Sequence, residues 1–117
     1  MKKLGKFSLD EVLPYTGYNA PKREYIGKMV RMNSLRYQVF KKKGVRCVSC
    51  GVIGDHFILE YHRGDNNPHF NLYTKNGILM TKDHVIPKCM GGMNRLGNLQ
   101  PMCVTCNTRK GDKLCVN

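Results

Sequence analysis

The sequence predicts a small α+β domain that a metal ion cross-links. Two Cys-x-x-Cys pairs, Cys47/Cys50 and Cys103/Cys106, stand on either side of residues 51–102. Three strand-like stretches lie between the pairs, and capped helix patterns lie outside them. At 117 residues, the chain suits one compact domain with a thin core. A metal cross-link would therefore add considerably to its stability.

The N-terminal segment, residues 1–22, predicts a short helix or an arm that orders on binding. Ser8 and Glu11 fit a capping box, in which each side chain accepts a backbone N–H of the other residue. Pro14 then ends any helix quickly. Residues 25–32 alternate weakly between polar and apolar side chains. They predict a strand or an extended lead-in.

A second helix is predicted from Leu35 to about Lys43. Ser34 is a suitable N-cap, and Gly44 ends the pattern. Three consecutive lysines form the last turn, where cations favour the helix dipole. They are either a solvated helix end, a phosphate contact, or both.

Three strand-like stretches follow the first cysteine pair, and turn residues separate them. The Asn76-Gly77 pair is a strong hairpin-turn signal, so we expect residues 70–74 and 78–84 to form an added β-hairpin. A loop over residues 85–99, a short returning strand and a final helix from Val104 to about Lys113 complete the prediction. The three stretches are residues 56–62, 70–74 and 78–84.

The chain is strongly basic, with 20 Lys and Arg against 8 Asp and Glu, which gives a net charge of +12. Residues 1–46 hold 12 of the basic and 3 of the acidic side chains, a net +9, and leave +3 for residues 47–117. This charge favours binding to a polyanion, most simply nucleic acid, over the alternative of a basic surface that only keeps the protein soluble. No apolar run is long enough for a membrane span, and the start lacks the apolar core of a secretory signal. We therefore expect a cytoplasmic chain whose six cysteines are reduced or metal-bound.

The two cysteine pairs predict a structural zinc site. Zn²⁺ takes four thiolates at about 2.3 Å in a tetrahedron, and each Cys-x-x-Cys turn supplies two of them. Four thiolates leave no open position for water, and a thioredoxin-like redox pair would not need the second pair. The ion would tie the helix before Cys47 to the helix after Cys103. The predicted ligands are Cys47, Cys50, Cys103 and Cys106.

The most informative stretch runs from Thr81 to Gly111. It contains Asp83-His84, then Gly91-Gly92, then Asn98, then the second cysteine pair with Asn107 directly after it. In order and spacing it closely resembles the HNH endonuclease family, also called the ββα-metal or His-Me finger nucleases. The resemblance covers Cys47 to Lys113 and is densest from Asp83 to Lys110.

The resemblance implies a zinc-stapled ββα-metal domain. Residues 47–117 would form the nuclease domain, and residues 1–46 a basic N-terminal arm and helix of the same unit. His84 resembles the general base of the family, and Asp83 beside it resembles a metal ligand. Asn98 resembles the middle Asn, which braces the loop and orients the histidine.

Asn107 stands where the family usually has its final histidine ligand, so the motif here is His-Asn-Asn. An amide oxygen can ligate a hard ion, which favours Mg²⁺ or Mn²⁺ as the catalytic metal. Basic residues on the two helices and the loop are candidate DNA phosphate contacts. They are Lys41, Lys42, Lys43, Lys88, Arg95, Arg109, Lys110 and Lys113.

The implied function is a metal-dependent endonuclease that hydrolyses DNA. Two alternatives stay open: a non-catalytic zinc-containing nucleic-acid-binding module, and a nuclease of the same fold that acts on RNA or branched DNA. One active site nicks, whereas a homodimer could cut both strands, and the sequence leaves monomer and homodimer open. The small size favours a phage or mobile-element setting in a bacterial cell.

Overall fold

Short antiparallel strands make up most of the regular structure. The structure is a computed structural model, and it describes residues 2–111. No helix within this range is long and apolar enough to cross a bilayer. The elements are β1 (Lys2–Ser8), α1 (Leu9–Val12), β2 (Arg23–Tyr25), β3 (Lys28–Val30), α2 (Leu35–Lys43), β4 (Gly54–Tyr61), β5 (His69–Thr74), β6 (Met80–His84), β7 (Leu99–Cys103) and α3 (Val104–Lys110).

The strands of residues 2–111 form three antiparallel sheets. The largest has the order β1-β4-β5, while β2 pairs with β3 and β6 pairs with β7. Met80 of β6 lies opposite Cys103 of β7, and the pairing continues without a register shift to His84 opposite Leu99. The second cysteine pair is thereby held at one end of this hairpin and the Asp83-His84 pair at the other.

One aromatic cluster joins the N-terminal third of the chain to the rest. The ring of Phe70 makes edge-on contacts with Phe7, Tyr25, Tyr37 and Phe57, at centroid distances of 4.8–6.3 Å. Large buried aromatics contribute most to a small core because each removes about 150–250 Å² from water. Residues 2–46 therefore share a core with the segment that follows them.

The N-terminal segment differs from its prediction. The capping box between Ser8 and Glu11 is present, as predicted, but the helix it begins is only α1. Lys2–Ser8 is a strand that pairs with β4, so the prediction of a helix or an arm is wrong for these residues. The physical reason is tertiary, since Phe7 packs on Phe70 and the partner strand lies far away along the chain.

Helix α2 has the predicted bounds. Ser34 accepts the N–H of Tyr37, and Gly44 ends the helix with a φ of 96°. In place of the one strand predicted over residues 25–32, the chain forms the short strands β2 and β3, because Ile26 and Gly27 both have positive φ and make a tight turn between them.

The turn at Asn76-Gly77 forms, but the hairpin predicted around it does not. Gly77 has a φ of 81° and donates its N–H to the carbonyl of Thr74. Beyond the turn, only one isolated bridge, between Tyr73 and Leu79, joins the two strands. Strand β5 pairs with β4, and β6 pairs with β7, so the added hairpin is β4–β5. The turn therefore joins two sheets.

Candidate catalytic site and metal centre

Four cysteines converge at one end of the β6–β7 hairpin. Their Sγ atoms all lie within 4.8 Å of one another, and three of the side chains are buried. The first pair lies in a turn that the Gly51 N–H closes on the Cys47 carbonyl, at 2.9 Å. Cys103 is the N-cap of α3, so Cys106 follows in its first turn. The four are Cys47, Cys50, Cys103 and Cys106.

The chemistry of this cluster suits zinc. Four thiolate donors at mutual contact distance can close a tetrahedral shell around a soft or borderline ion. Without metal, burial first and then hydrogen bonds with the neighbouring thiols raise the pKa of Cys103 to about 12, although the N–H of Cys106 lowers it. Burial also raises the pKa of Cys47, but N–H groups of Cys50, Cys103 and Ser49 outweigh it and lower the pKa to about 6. Metal binding at neutral pH would therefore release protons from the cluster.

The cluster joins three parts of the fold. The Val48 N–H donates to the Pro101 carbonyl at 3.0 Å, and the Val104 N–H donates to the Leu79 carbonyl at 2.8 Å. These bonds hold the first cysteine turn, β7 and the start of α3 together. A metal ion bound there would fix how α3 packs on the hairpin, and with it the opposite end of β6.

A cavity of about 200 Å³ lies where β6 ends beside α3. Asp83 and His84 are the last residues of β6, while Asn107 and Lys110 are three apart on α3 and so share one face of that helix. All four line the cavity, together with Pro87, Lys88 and Gly111. The fold therefore brings the predicted base and both predicted ligands of the catalytic ion to one site.

Asp83 is only 8% exposed and accepts two side-chain hydrogen bonds on its Oδ2 atom. The donors are Nζ of Lys110 at 2.6 Å and Nε2 of Gln100 at 3.0 Å. Lys110 also donates to the carbonyl oxygen of His84, at 2.8 Å. An ammonium group thus neutralises the carboxylate at the place where the sequence predicts a divalent ion.

His84 and Asn107 each have an atom with no partner. Within residues 2–111, the buried Nε2 of His84 has no hydrogen-bond partner. Asn107 donates from Nδ2 to the Thr81 hydroxyl at 2.8 Å, and that hydroxyl donates to the Met102 carbonyl. The amide oxygen of Asn107 accepts no bond from the described side chains and is available to a ligand.

Asn98 braces the loop that follows His84. Its Oδ1 accepts the N–H of Ile86 at 2.9 Å, and its Nδ2 donates to the carbonyls of Ile86 and Met93. The N–H of Val85 donates to the Asn98 carbonyl. These bonds tie both sides of the loop to the start of β7, beside His84.

Comparison with known families matches this part of the chain. Residues 73–115 fit the family model described as HNH endonuclease. The similarity covers 43 of the 117 residues, a stretch we call the HNH segment. No curated protein and no solved structure matched the chain. The matched segment contains β6, β7, α3 and the second cysteine pair, which confirms the resemblance seen in the sequence. The match suggests a nuclease-type function.

The predicted phosphate contacts lie in different surroundings. Lys41 donates to the Thr16 carbonyl, and Lys43 donates to the carbonyls of Leu96 and Leu99, so these two ammonium groups hold loops. Lys110 lies on Asp83 as described. Lys42, Lys88, Arg95 and Arg109 are exposed, as are Lys41 and Lys43, and Lys113 lies outside the described residues. Their contact with DNA remains a prediction.

Two polar residues of the HNH segment escaped the sequence analysis. Thr81 lies two residues before Asp83, so both point to the same side of β6. Gln100 lies opposite Asp83 in the β6–β7 pairing. The alternation of side chains along a strand could have indicated Thr81, whereas Gln100 could be found only from the register of the β6–β7 pairing.

The expectation of reduced cysteines is also wrong at Cys89, which is disulfide-bonded.

Proposed function

We propose that this chain is a divalent-metal-dependent endonuclease that hydrolyses phosphodiester bonds of DNA. The observation that supports this most is the cavity at the end of β6, which a carboxylate, an imidazole, an amide and an ammonium line together within the HNH segment. Phosphodiester hydrolysis needs a base for the attacking water and positive charge near the phosphate. The four side chains can supply both.

His84 is the proposed general base. An imidazole is the side chain that most often accepts a proton from an attacking water. Its buried Nε2 has no competing hydrogen bond from the described residues. In this proposal His84 takes the proton as the bond from water oxygen to phosphorus forms and the bond from phosphorus to the leaving oxygen breaks.

Asp83 and Asn107 are the proposed ligands of the catalytic ion, Mg²⁺ or Mn²⁺. Carboxylate and amide oxygens are the hard donors that such ions prefer, so the donor set fits. Neither Oδ1 of Asp83 nor Oδ1 of Asn107 accepts a hydrogen bond from residues 2–111. The ion, when bound, would neutralise charge on the phosphate and on the leaving oxygen.

Other side chains are proposed to position the substrate and the base. Asn98 holds the loop after His84 and so keeps the imidazole in place. Lys88 lines the cavity and is exposed, which suits contact with a phosphate beside the scissile one. Lys42, Arg95 and Arg109 extend the exposed basic surface. The net charge of +12 supports DNA as the partner, with the cytoplasm of a bacterial or phage-infected cell as the setting.

A plasmid-cleavage assay tests the proposal. Wild type, His84→Ala and His56→Ala would be incubated with supercoiled DNA and Mg²⁺ or Mn²⁺, with EDTA as the metal-free control. His56 bonds to Asp55, outside the cavity, and serves as the matched histidine. We expect His84→Ala to lose about 10²–10⁴ in rate, the usual size of a general-base contribution, and His56→Ala to keep its activity.

Two results would overturn the proposal. One is wild-type protein that leaves duplex DNA intact with every metal, and the other is His84→Ala that cuts as fast as His56→Ala. Parallel arms with RNA and with branched DNA identify the substrate. The ratio of nicked to linear product shows whether one strand or both are cut.

A further inference from the structure

A second cavity of about 340 Å³ lies away from the one at His84, against the N-terminal end of α2. Elements from both halves of the chain form it: the residues before α2, its first turn, the end of β4, the start of β5 and the middle of β6. Its charged and titratable residues are Arg31, Arg36, His62, Asp65, His69 and Lys82. Three basic side chains thus line it against one carboxylate.

The three cations have no acidic partner. Within residues 2–111, no carboxylate lies within 4.0 Å of Arg31, Arg36 or Lys82. Asp65 instead lies 3.6 Å from the ring of His69. Three like charges around a cavity repel one another, and an anion between them would remove that repulsion.

Each of the two guanidinium groups is held in place by one hydrogen bond and keeps other N–H donors unused. Arg36 donates to the Phe70 carbonyl at 2.7 Å, while its buried Nε has no partner in the described chain. Arg31 donates from Nε to Asn33 at 2.8 Å. Pre-positioned guanidinium groups with free N–H donors suit a phosphate, which accepts paired hydrogen bonds.

A metal ion fits this cavity poorly. Among residues 2–111, only the four cysteines bring three or more metal-ligating atoms together. The histidines here, His62 and His69, have ring centroids 6.5 Å apart. Arg36 and Lys82 would also repel a cation. The start of α2 adds the partial positive charge of a helix N-terminus, which favours an anion as well.

The two cavities lie on either side of strand β6. Lys82 and Asp83 are consecutive on β6, so their side chains leave opposite faces of the strand. Lys82 lines the second cavity and Asp83 lines the cavity at His84, so both cavities adjoin the same strand.

We propose that the second cavity binds a backbone phosphate of the nucleic-acid strand whose scissile phosphate lies at His84. The inference rests on the proposed function for the identity of the strand. Arg31, Arg36 and Lys82 would hold the phosphate. The nucleic-acid strand would then be bound at two points. The distance between the two cavities would set how far the cleaved bond lies from the phosphate bound in the second cavity.

The test measures DNA binding without cleavage. Each variant is made in the zinc-loaded His84→Ala protein, and the affinity for a duplex is measured over a series of salt concentrations. Arg31→Gln and Lys82→Gln remove cavity charges, while Lys75→Gln removes the same charge from the turn before β6, in a different cavity. We expect each cavity variant to weaken binding by roughly three- to tenfold and to reduce the salt slope by about one, as for a lost phosphate contact. The Lys75→Gln variant keeps both values.

A titration with inorganic phosphate, followed by amide chemical shifts, locates the site. Shifts at Arg36 and Tyr37 that vanish in Lys82→Gln support a phosphate site here. Cavity variants that bind DNA with the affinity and slope of Lys75→Gln overturn the inference, and so does phosphate binding without any effect on DNA affinity. If wild type cuts no nucleic acid but duplex binding still depends on Lys82, the proposed function fails and this inference stands.

Discussion

The Nζ atom of Lys110 lies 2.6 Å from Oδ2 of Asp83, inside the cavity that His84 also lines. The pair is partly buried, with the two side chains 29% and 10% exposed. A lysine on α3 thus supplies the positive charge that a carboxylate at this position needs when no divalent ion is bound. An incoming ion has to share Asp83 with this ammonium or displace it.

Replacing this lysine should strengthen metal binding. In Lys110→Met the divalent ion no longer meets a neighbouring positive charge. One partly screened charge contributes about 1 kcal/mol, which corresponds to about fivefold in Kd. The measurement is Mn²⁺ titration followed by electron paramagnetic resonance. Arg109→Met removes an exposed charge from the same helix as control. Weaker Mn²⁺ binding in Lys110→Met would show that Lys110 supports the ion instead of competing with it.

The same substitution should destabilise the metal-free fold. Asp83 is 8% exposed, and loss of its cation leaves a nearly buried carboxylate with one donor, Gln100. We expect a loss of about 1–3 kcal/mol in the free energy of unfolding, measured by urea denaturation of the zinc-loaded protein. Excess Mg²⁺ should recover part of it because the ion binds only the folded state. Equal stability of variant and wild type would contradict a structural role for the pair.

Removal of one zinc ligand should unfold the domain. Cys50 is exposed, so Cys50→Ala costs little packing, and any large loss reports on the metal. We expect about one tightly held zinc per wild-type chain, and for Cys50→Ala a loss of zinc and of the cooperative unfolding transition. Ser49→Ala is the neighbouring exposed control. Full stability in Cys50→Ala would rule out a structural metal.

Asn98 should act on the rate through the loop. In Asn98→Ala the N–H of Ile86 and the carbonyls of Ile86 and Met93 lose their side-chain partner. We expect kcat to fall at least about tenfold, since misplacement of a catalytic group by about 1 Å costs more than that. Zinc content and the affinity of uncut DNA should stay close to wild type. A variant that loses zinc or DNA binding along with its activity would point to a folding defect instead.

Anion binding in the second cavity should strengthen as the pH falls. Burial lowers the pKa of His69, as do the charges of Arg36 and Arg31 and the neighbouring His62, while Asp65 raises it. His69 is therefore neutral at neutral pH and gains a positive charge only below its lowered pKa. Sulfate stays a dianion from about pH 8 to about pH 5, so its Kd should fall as the pH drops towards the lowered pKa of His69. The readout is sulfate titration, with zinc content checked at each pH.

The matched variant for this prediction is His69→Gln, which cannot gain the charge. Its sulfate affinity should change less with pH than that of wild type. An identical pH profile in both proteins would assign the effect to His62 or to loss of zinc.

Local patterns predicted several elements well because their causes are local. The α2 helix has its predicted bounds, since Ser34 and Gly44 act within one turn of the helix ends. Each Cys-x-x-Cys pair could be recognised because the spacing of two thiols within one turn is a local property. The cluster of four followed from the four ligands that zinc requires. The Asn76-Gly77 turn formed for the same reason, although its flanking strands found other partners.

Partners distant in the chain were beyond such patterns. Nothing within Lys2–Ser8 indicates pairing with β4, and a stretch with three lysines predicts an arm more readily than a strand. The contact of Lys110 with Asp83 depends on how α3 packs on β6. Packing of this kind is set by the whole core.

The sequence by itself determined the metal-binding cysteines, the HNH motif and the strong positive charge. Each depends on residue type and spacing along the chain. Only the tertiary structure decided that the N-terminal segment is part of the main sheet, that an ammonium lies on Asp83, and that Arg31, Arg36 and Lys82 surround one cavity. These features join residues that are far apart in the chain, and burial of a shared core brings them together.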